Sequence, residues 1–168
     1  MPYGPSNKKI HKGDLVDVNH ATVYQGYHSD EARMFKMGKP NRKEVKLYDV
    51  VLKALNASIA SIRPGVKASD IFKVVKRIID DSGYSEFFMG YNQYGVEYVG
   101  HGVGLEINEY PFIGPKNNEL LKPGMVFALE PKLIVPGVTG IELEDTITVT
   151  KEGCEVLTST RKDKIIEC

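Results

Sequence analysis

The stretch Met125-Val-Phe-Ala-Leu-Glu-Pro-Lys-Leu-Ile-Val-Pro-Gly-Val-Thr-Gly-Ile-Glu-Leu-Glu-Asp-Thr-Ile-Thr-Val-Thr150 decides the fold. Two apolar, β-branched runs flank Pro136-Gly137, a turn signal, so the stretch predicts strands over 125–135 and 140–150 folded back as a hairpin. A turn centred on Gly137 sets Glu130 opposite Glu144. Directly opposed strand side chains have Cβ atoms about 4.5–5.5 Å apart, and like charges placed so destabilise a sheet unless a cation neutralises them. Each glutamate stands inside an apolar run, where an unpaired carboxylate is costly. Taken singly, a strand carboxylate belongs on a solvated face, and Glu142 alternates with Glu144 as such a face would.

Upstream, a second hairpin is read from strands over 15–18 and 26–35 around Tyr24-Gln25-Gly26. A turn centred between Tyr24 and Gln25 sets Asn19 opposite Asp30, a second facing pair. Between the hairpins lies Gly100-His-Gly-Val-Gly-Leu-Glu-Ile-Asn-Glu-Tyr-Pro111, whose glycines let backbone approach closely around His101. A histidine between glycines serves equally well as a turn cap. Two facing pairs together with such a histidine make a metal site the better account of all five positions.

The remaining segments supply a core. Asn41 with Glu44 has the form of a capping box, and Tyr48, Val51, Leu52, Leu55, Ile59 and Ile62 follow at helical spacing until Pro64-Gly65. A second helix is expected over 69–81, with Ile71, Val74, Val75 and Ile78 on one face and Gly83 as its stop. The aromatic, glycine-rich segment 84–100 (Tyr84, Phe87, Phe88, Tyr91, Tyr94, Tyr98) reads as a loop that packs on the core or lines a pocket. A tail strand is expected near 155–158. The start, Tyr3-Gly-Pro-Ser-Asn, reads as a loop leading to the Lys12-Gly13-Asp14 turn.

At 168 residues the chain has the size of one domain, 1–168. Lysine plus arginine equals aspartate plus glutamate at 22 each, which leaves no electrostatic footprint for nucleic acid or an anionic membrane. No apolar run is long enough to span a bilayer, and the N-terminus lacks the apolar region of a signal peptide. The two cysteines, Cys154 and Cys168, have no framework spacing and read as free thiols of a cytoplasmic protein.

Five motifs in order carry a family resemblance: Gly13-Asp-Leu-Val, Gly26-Tyr-His-Ser-Asp-Glu-Ala-Arg33, Gly100-His-Gly-Val-Gly-Leu-Glu106, Leu129-Glu-Pro131 and Leu143-Glu-Asp-Thr146. From about residue 2 to residue 158 the chain resembles the pita-bread metallopeptidases, which include methionine aminopeptidases, aminopeptidase P and the Xaa-Pro dipeptidases (prolidases). Gly102-Val-Gly-Leu-Glu, Glu109-Tyr-Pro and Leu129-Glu-Pro-Lys-Leu lean towards the Xaa-Pro dipeptidase branch. The resemblance implies an α+β fold, a curved antiparallel sheet with helices packed on one face. It also implies a dinuclear site on Asn19, Asp30, His101, Glu130 and Glu144. Mn²⁺ or Co²⁺ suits such oxygen ligands with one imidazole, and Fe²⁺ or Zn²⁺ is an alternative. Two ions would share a water and present it as hydroxide to a peptide carbonyl. Glu130 would relay its proton, with His101 beside it in the reaction centre.

The chain departs from that pattern in four ways. Asn19 stands where the family has aspartate, which predicts one weakened metal position; Asp17, on the same strand face, would replace it only after a register slip. Asn108 stands where many members carry a substrate-contacting histidine, and Glu142 where many prolidases have arginine. The family's domain normally begins with helices and a hairpin that are not found before Pro2. This predicts a truncated domain with an exposed apolar face, covered in a homo-oligomer or by another chain. Small peptides are the implied substrates. The alternative is a catalytically silent relative, since the same fold serves as a binding module in the large subunit of the FACT histone chaperone and in the ErbB3-binding protein.

Overall fold

The computed structural model describes residues 6–92 and 95–168. The segment Tyr3-Gly-Pro and the aromatic Tyr94 lie outside those residues. Strand β1 (Leu15–Tyr24) pairs antiparallel with β2 (Tyr27–Lys36) in an unbroken ladder from Leu15↔Lys36 to Tyr24↔Tyr27. Gln25 and Gly26 form the tip with φ of 50° and 87°. Two-residue hairpin loops favour positive φ at both central positions, because that turn matches the twist of the strands. The tip therefore sits one residue later than the sequence reading placed it. Asn19 pairs with Ala32 and Asp30 with Ala21, so Asn19 does not face Asp30. The register moves by two residues, which keeps both side chains on the same face; a slip of one would have separated them.

Helix α1 (Arg42–Ser61) starts at the expected capping box: the Asn41 side chain accepts from the Lys43 and Glu44 amides, and Glu44 accepts from the Asn41 amide at 2.7 Å. Its buried stripe is Leu47, Tyr48, Val51, Ala54 and Leu55. Helix α2 (Ala68–Asp81) buries Ile71, Val75 and Ile79, and Gly83, at φ 80°, follows its end. The aromatic segment contributes a short 3-10 turn, Ser85–Phe87.

The rest is β3 (Gly100–Gly102), β4 (Val126–Leu129), β5 (Lys132–Val135), β6 (Thr139–Glu142), β7 (Asp145–Val149), β8 (Cys154–Val156) and β9 (Ile166–Glu167). Each long strand expected from the sequence is split, the first at Glu130-Pro131, where proline offers no N–H to the ladder. The register nevertheless continues through the break. Leu129 pairs with Asp145 on one side and Lys132 with Glu142 on the other, so Glu130 lies opposite Glu144 as expected. Strand β8 is the tail strand of the sequence reading, beginning one residue and ending two residues early, whereas the short β9, parallel to β2, had no sequence signal.

Strand order is β1-β2-β9 in one sheet, β3-β4-β7-β8 in another, and β5-β6 pair alone. An antiparallel bridge between Ala32 and Glu144 joins them, with the Glu144 amide donating to the Ala32 carbonyl at 3.2 Å. The result is the expected α+β arrangement, a curved and mainly antiparallel sheet whose one face is covered by α1 and α2. Leu47, Val51 and Leu55 share that core with Leu133, Ile141, Leu143 and Ile147. The outer strand β1 is different: Val18, Val23 and Tyr24 are exposed, and β2 is its only strand partner among the described residues. Within those residues no helix is long and apolar enough to cross a membrane.

Candidate metal centre

Strand pairing lays the polar side chains of one sheet face out in three rows. The first runs Ala21, Asp30, Thr146, Ala128, His101, joined by the strand pairs and by the Asp30 amide donating to Thr146 Oγ1 at 3.0 Å. The second runs Asn19, Ala32, Glu144, Glu130. The third holds Asp17, Met34, Glu142 and Lys132, with the Glu142 amide donating weakly to Met34 Sδ at 3.5 Å. Alternation along each strand puts all of these on one side. Small side chains at Ala32 and Ala128 leave the space above their rows to the long polar neighbours.

His101 is the hub. Its Nε2 lies 3.9 Å from Asp30 Oδ2, 3.7 Å from Glu130 Oε1 and 4.0 Å from Glu144 Oε1. All four side chains are buried. Nδ1 lies 3.2 Å from the Gly102 carbonyl, an outer contact that fixes the ring and turns Nε2 toward the carboxylates. The flanking glycines are there for space: a Cβ on Gly100 would fall 2.2 Å from the Ala128 carbonyl oxygen, and one on Gly102 2.5 Å from that of Tyr110.

The acids crowd one another. Burial, reinforced by Asp30, Glu130 and Glu142, pushes the Glu144 carboxyl up to about 10. Burial also raises Asp30, against the pull of His101 and Glu144, and burial together with Glu142 pushes Asp17 up to about 7. Glu142 is raised by burial and Glu130 despite the opposing Lys132. Carboxyls held so far above their ordinary range mark a set whose negative charge has no sufficient partner within the protein.

A divalent cation fits that deficit. Metal–oxygen and metal–nitrogen bonds of about 2.0–2.2 Å allow at most about 4.4 Å between two atoms on one ion. The distances of 3.7–4.0 Å around Nε2 fall inside that limit. Ligand atoms from Asp30, His101 and Glu144 all lie within 4.8 Å of one another, and Glu130 borders that trio. Three carboxylates and one imidazole form a donor set that suits a divalent ion.

Asn19 does reach the cluster, over Ala32: its Nδ2 donates to Glu144 Oε2 at 3.2 Å and to Glu142 Oε1 at 3.5 Å. No register slip brings Asp17 forward, and that side chain lies one row away, beside Glu142. Asn108 stands apart, exposed in the loop that follows β3. Sequence reasoning missed Lys132, whose Nζ lies 2.5 Å from Glu130 Oε2 and 3.0 Å from Glu142 Oε1. Its signal was present in the register, since Lys132 pairs with Glu142 and stands two residues from Glu130 on the same face. A cavity of about 510 Å³ lined by Tyr27, His28, Glu109, Tyr110, Met125 and Leu157 contains none of the candidate ligands.

The fold is that of a known class. Residues 1–151 match the model of Metallopeptidase family M24, and the chain belongs to that family. It is 37% identical over 166 residues to an Xaa-Pro dipeptidase of Pyrococcus horikoshii, covering 98% of this chain and 45% of that protein. Its fold superposes on an X-Pro aminopeptidase from Thermotoga maritima with a TM-score of 0.91 at 29% identity, over 100% of this chain and 45% of the other. An Xaa-Pro dipeptidase from Bacillus anthracis gives a TM-score of 0.89 at 35% identity, over 99% and 45%. The chain thus spans about 45% of the length of the curated Xaa-Pro dipeptidases it matches, and they lie in the branch its motifs favour.

Proposed function

We propose that this chain carries a divalent-metal centre for hydrolysis of a peptide bond in small peptides, of the Xaa-Pro dipeptidase type. One observation carries the proposal: a buried histidine nitrogen faces oxygens of three buried carboxylates at 3.7–4.0 Å. Asp30, His101, Glu130 and Glu144 would hold the ion, Mn²⁺ or Co²⁺ by donor type. When bound, such an ion acidifies a water and polarises the scissile carbonyl. Glu130, with one oxygen facing His101, is placed to take a proton from the attacking water and return it to the leaving amine. His101, its ring held by the Gly102 carbonyl, orients the carboxylates around it. Asn108, in the exposed loop beyond β3, is the proposed substrate contact. Cytoplasmic residence and a homo-oligomer, or a partner covering the outer face of β1, complete this account.

Metal content and Xaa-Pro dipeptide hydrolysis, measured side by side for the wild type, Asn19→Asp and His101→Ala, test it. The expected outcome is metal in the first two proteins and none in the third, with hydrolysis at least as fast in Asn19→Asp as in the wild type. Absence of Mn²⁺ and Co²⁺ from every protein would defeat the proposal. A second reading, a silent binding module, is favoured by the Asn19 amide, which donates to Glu144 where an aspartate would add a ligand charge. Metal uptake without hydrolysis in the wild type and in Asn19→Asp alike would decide for that reading.

A further inference from the structure

The two central glutamates each have one oxygen facing His101 and one facing a donor of the chain itself. Glu130 points Oε1 at His101 Nε2, 3.7 Å away, while its Oε2 receives the Lys132 ammonium at 2.5 Å. Glu144 points Oε1 at the same nitrogen, 4.0 Å away, while its Oε2 receives the Asn19 amide at 3.2 Å. Glu142 closes the arrangement: its Oε1 accepts from Lys132 at 3.0 Å and from Asn19 at 3.5 Å. On the His101 side the open atoms are therefore all acceptors, as a cation requires. On the far side the same two glutamates already accept from N–H donors of the chain.

We propose that this chain binds a single divalent ion, on Asp30, His101, Glu130 Oε1 and Glu144 Oε1, and that the Lys132 ammonium, braced by Asn19, occupies the place of a second as a built-in cation. The inference rests on the proposed metal centre and concerns only how many ions it holds. A second ion on Glu130 Oε2, bonded at about 2.0–2.2 Å, would lie against an ammonium already 2.5 Å from that oxygen. Like charges a few ångström apart in a partly buried site repel by well over a tenfold change in binding constant. The Lys132 side chain is only 20% exposed and is held by two carboxylates, so little of it is left to solvent. The Asn19 amide is oriented by its surroundings as well. Turning it over would set Oδ1 against Glu144 and Glu142, acceptor against acceptor.

The test counts ions rather than turnover. The full chain, stripped with chelator and titrated with Mn²⁺, is analysed for bound metal by equilibrium dialysis and by electron paramagnetic resonance. The same is done for Lys132→Met, Lys132→Arg and the double variant Asn19→Asp/Lys132→Met. The wild type and Lys132→Arg should take up one ion and give the spectrum of an isolated Mn²⁺. The double variant should take up two, the second at least about tenfold tighter than any second ion in the wild type, with exchange broadening between them. Lys132→Met alone should fall between. Two ions of similar affinity in the wild type overturn the proposal, as does a double variant that stays at one ion, or a Lys132→Arg protein that behaves like Lys132→Met. No bound ion in any of the four proteins removes the metal centre itself, and this inference with it.

Discussion

Strand β2 and the Glu144-Asp145 step into β7 carry buried charges on both faces, and the two faces treat them in opposite ways. On one side Arg33 is bonded to Glu31 at 2.8 Å and to Asp145 at 2.7 Å, and it also donates to the Thr160 carbonyl. Lys162 reaches Asp145, Thr158 donates to the same carboxylate, and Thr160 donates to Glu31. Each charge there meets an opposite charge or a hydrogen-bond partner from the chain. On the other side Asp30, Glu130 and Glu144 surround a single imidazole; burial raises the Asp30 carboxyl and pushes that of Glu144 up to about 10. The first cluster is a finished structural lock that fastens the C-terminal tail to the sheet. In the second, Lys132 meets Glu130 and Glu142, while Asp30 and Glu144 face only the imidazole and the Asn19 amide, a deficit that the proposed cation would fill. Burial of charge is common to both; whether the internal counter-charge reaches every acid separates structure from site.

Removing a residue from each face should show the difference most strongly. Arg33→Met leaves Glu31 and Asp145 buried without their main partner, a change that costs about 3–5 kcal/mol, read as a lower midpoint in urea unfolding. Glu144→Gln should do the reverse in the metal-free protein, leaving stability unchanged or higher because a repelled carboxylate is gone, while Mn²⁺ affinity falls by at least about tenfold.

The response to pH sharpens the same contrast. A carboxyl whose folded value is raised is protonated in the native state where the unfolded chain has already lost its proton. The native state then binds more protons, and stability falls as pH rises. For Asp17, raised from 3.8 to about 7, the loss accrues between those values and is complete above the upper one. For Glu144, raised from 4.5 to about 10, it continues across neutrality. Thermal unfolding of the metal-free chain between about pH 5 and pH 8 should therefore show a falling midpoint. The stabilisation added by saturating Mn²⁺ should grow over the same range, since binding displaces those protons. A flat metal-free profile would contradict the charge crowding described here. The smallest effect belongs to Asn19→Ala, which removes donors from the edge of the cluster and should cost no more than about 1.5 kcal/mol in the same unfolding measurement.

Much of this was legible in the sequence, for local reasons. The Asn41–Glu44 box, the helical stripes and the Pro136-Gly137 turn are short-range signals, and the Glu130–Glu144 pairing follows from counting outward from that turn. Counting failed at the first hairpin because Gln25, a residue without the freedom of glycine, takes a positive φ and moves the tip. The face assignment survived only because the error was an even number of residues. Lys132 stayed hidden because a lysine in a strand reads as solvated until its neighbours are known to be two glutamates. Strand β9 and the Arg33 network join segments more than a hundred residues apart in sequence, which no periodicity can reveal. Counting from the hairpin turns, and then the family motifs, brought Asn19, Asp30, His101, Glu130 and Glu144 together, and the structure adds which oxygen of each glutamate faces His101.

The most direct test of the central claim, that the acids around His101 form a cation site, is a thermal-unfolding titration of the chelator-stripped chain with Mn²⁺ at constant pH, run beside Glu144→Gln. The account predicts a midpoint that climbs with Mn²⁺ concentration in the wild type, as for any ligand bound only by the folded state, and a response lost or shifted to far higher concentration in the variant. An unchanged midpoint in the wild type, or equal shifts in both proteins, would contradict it.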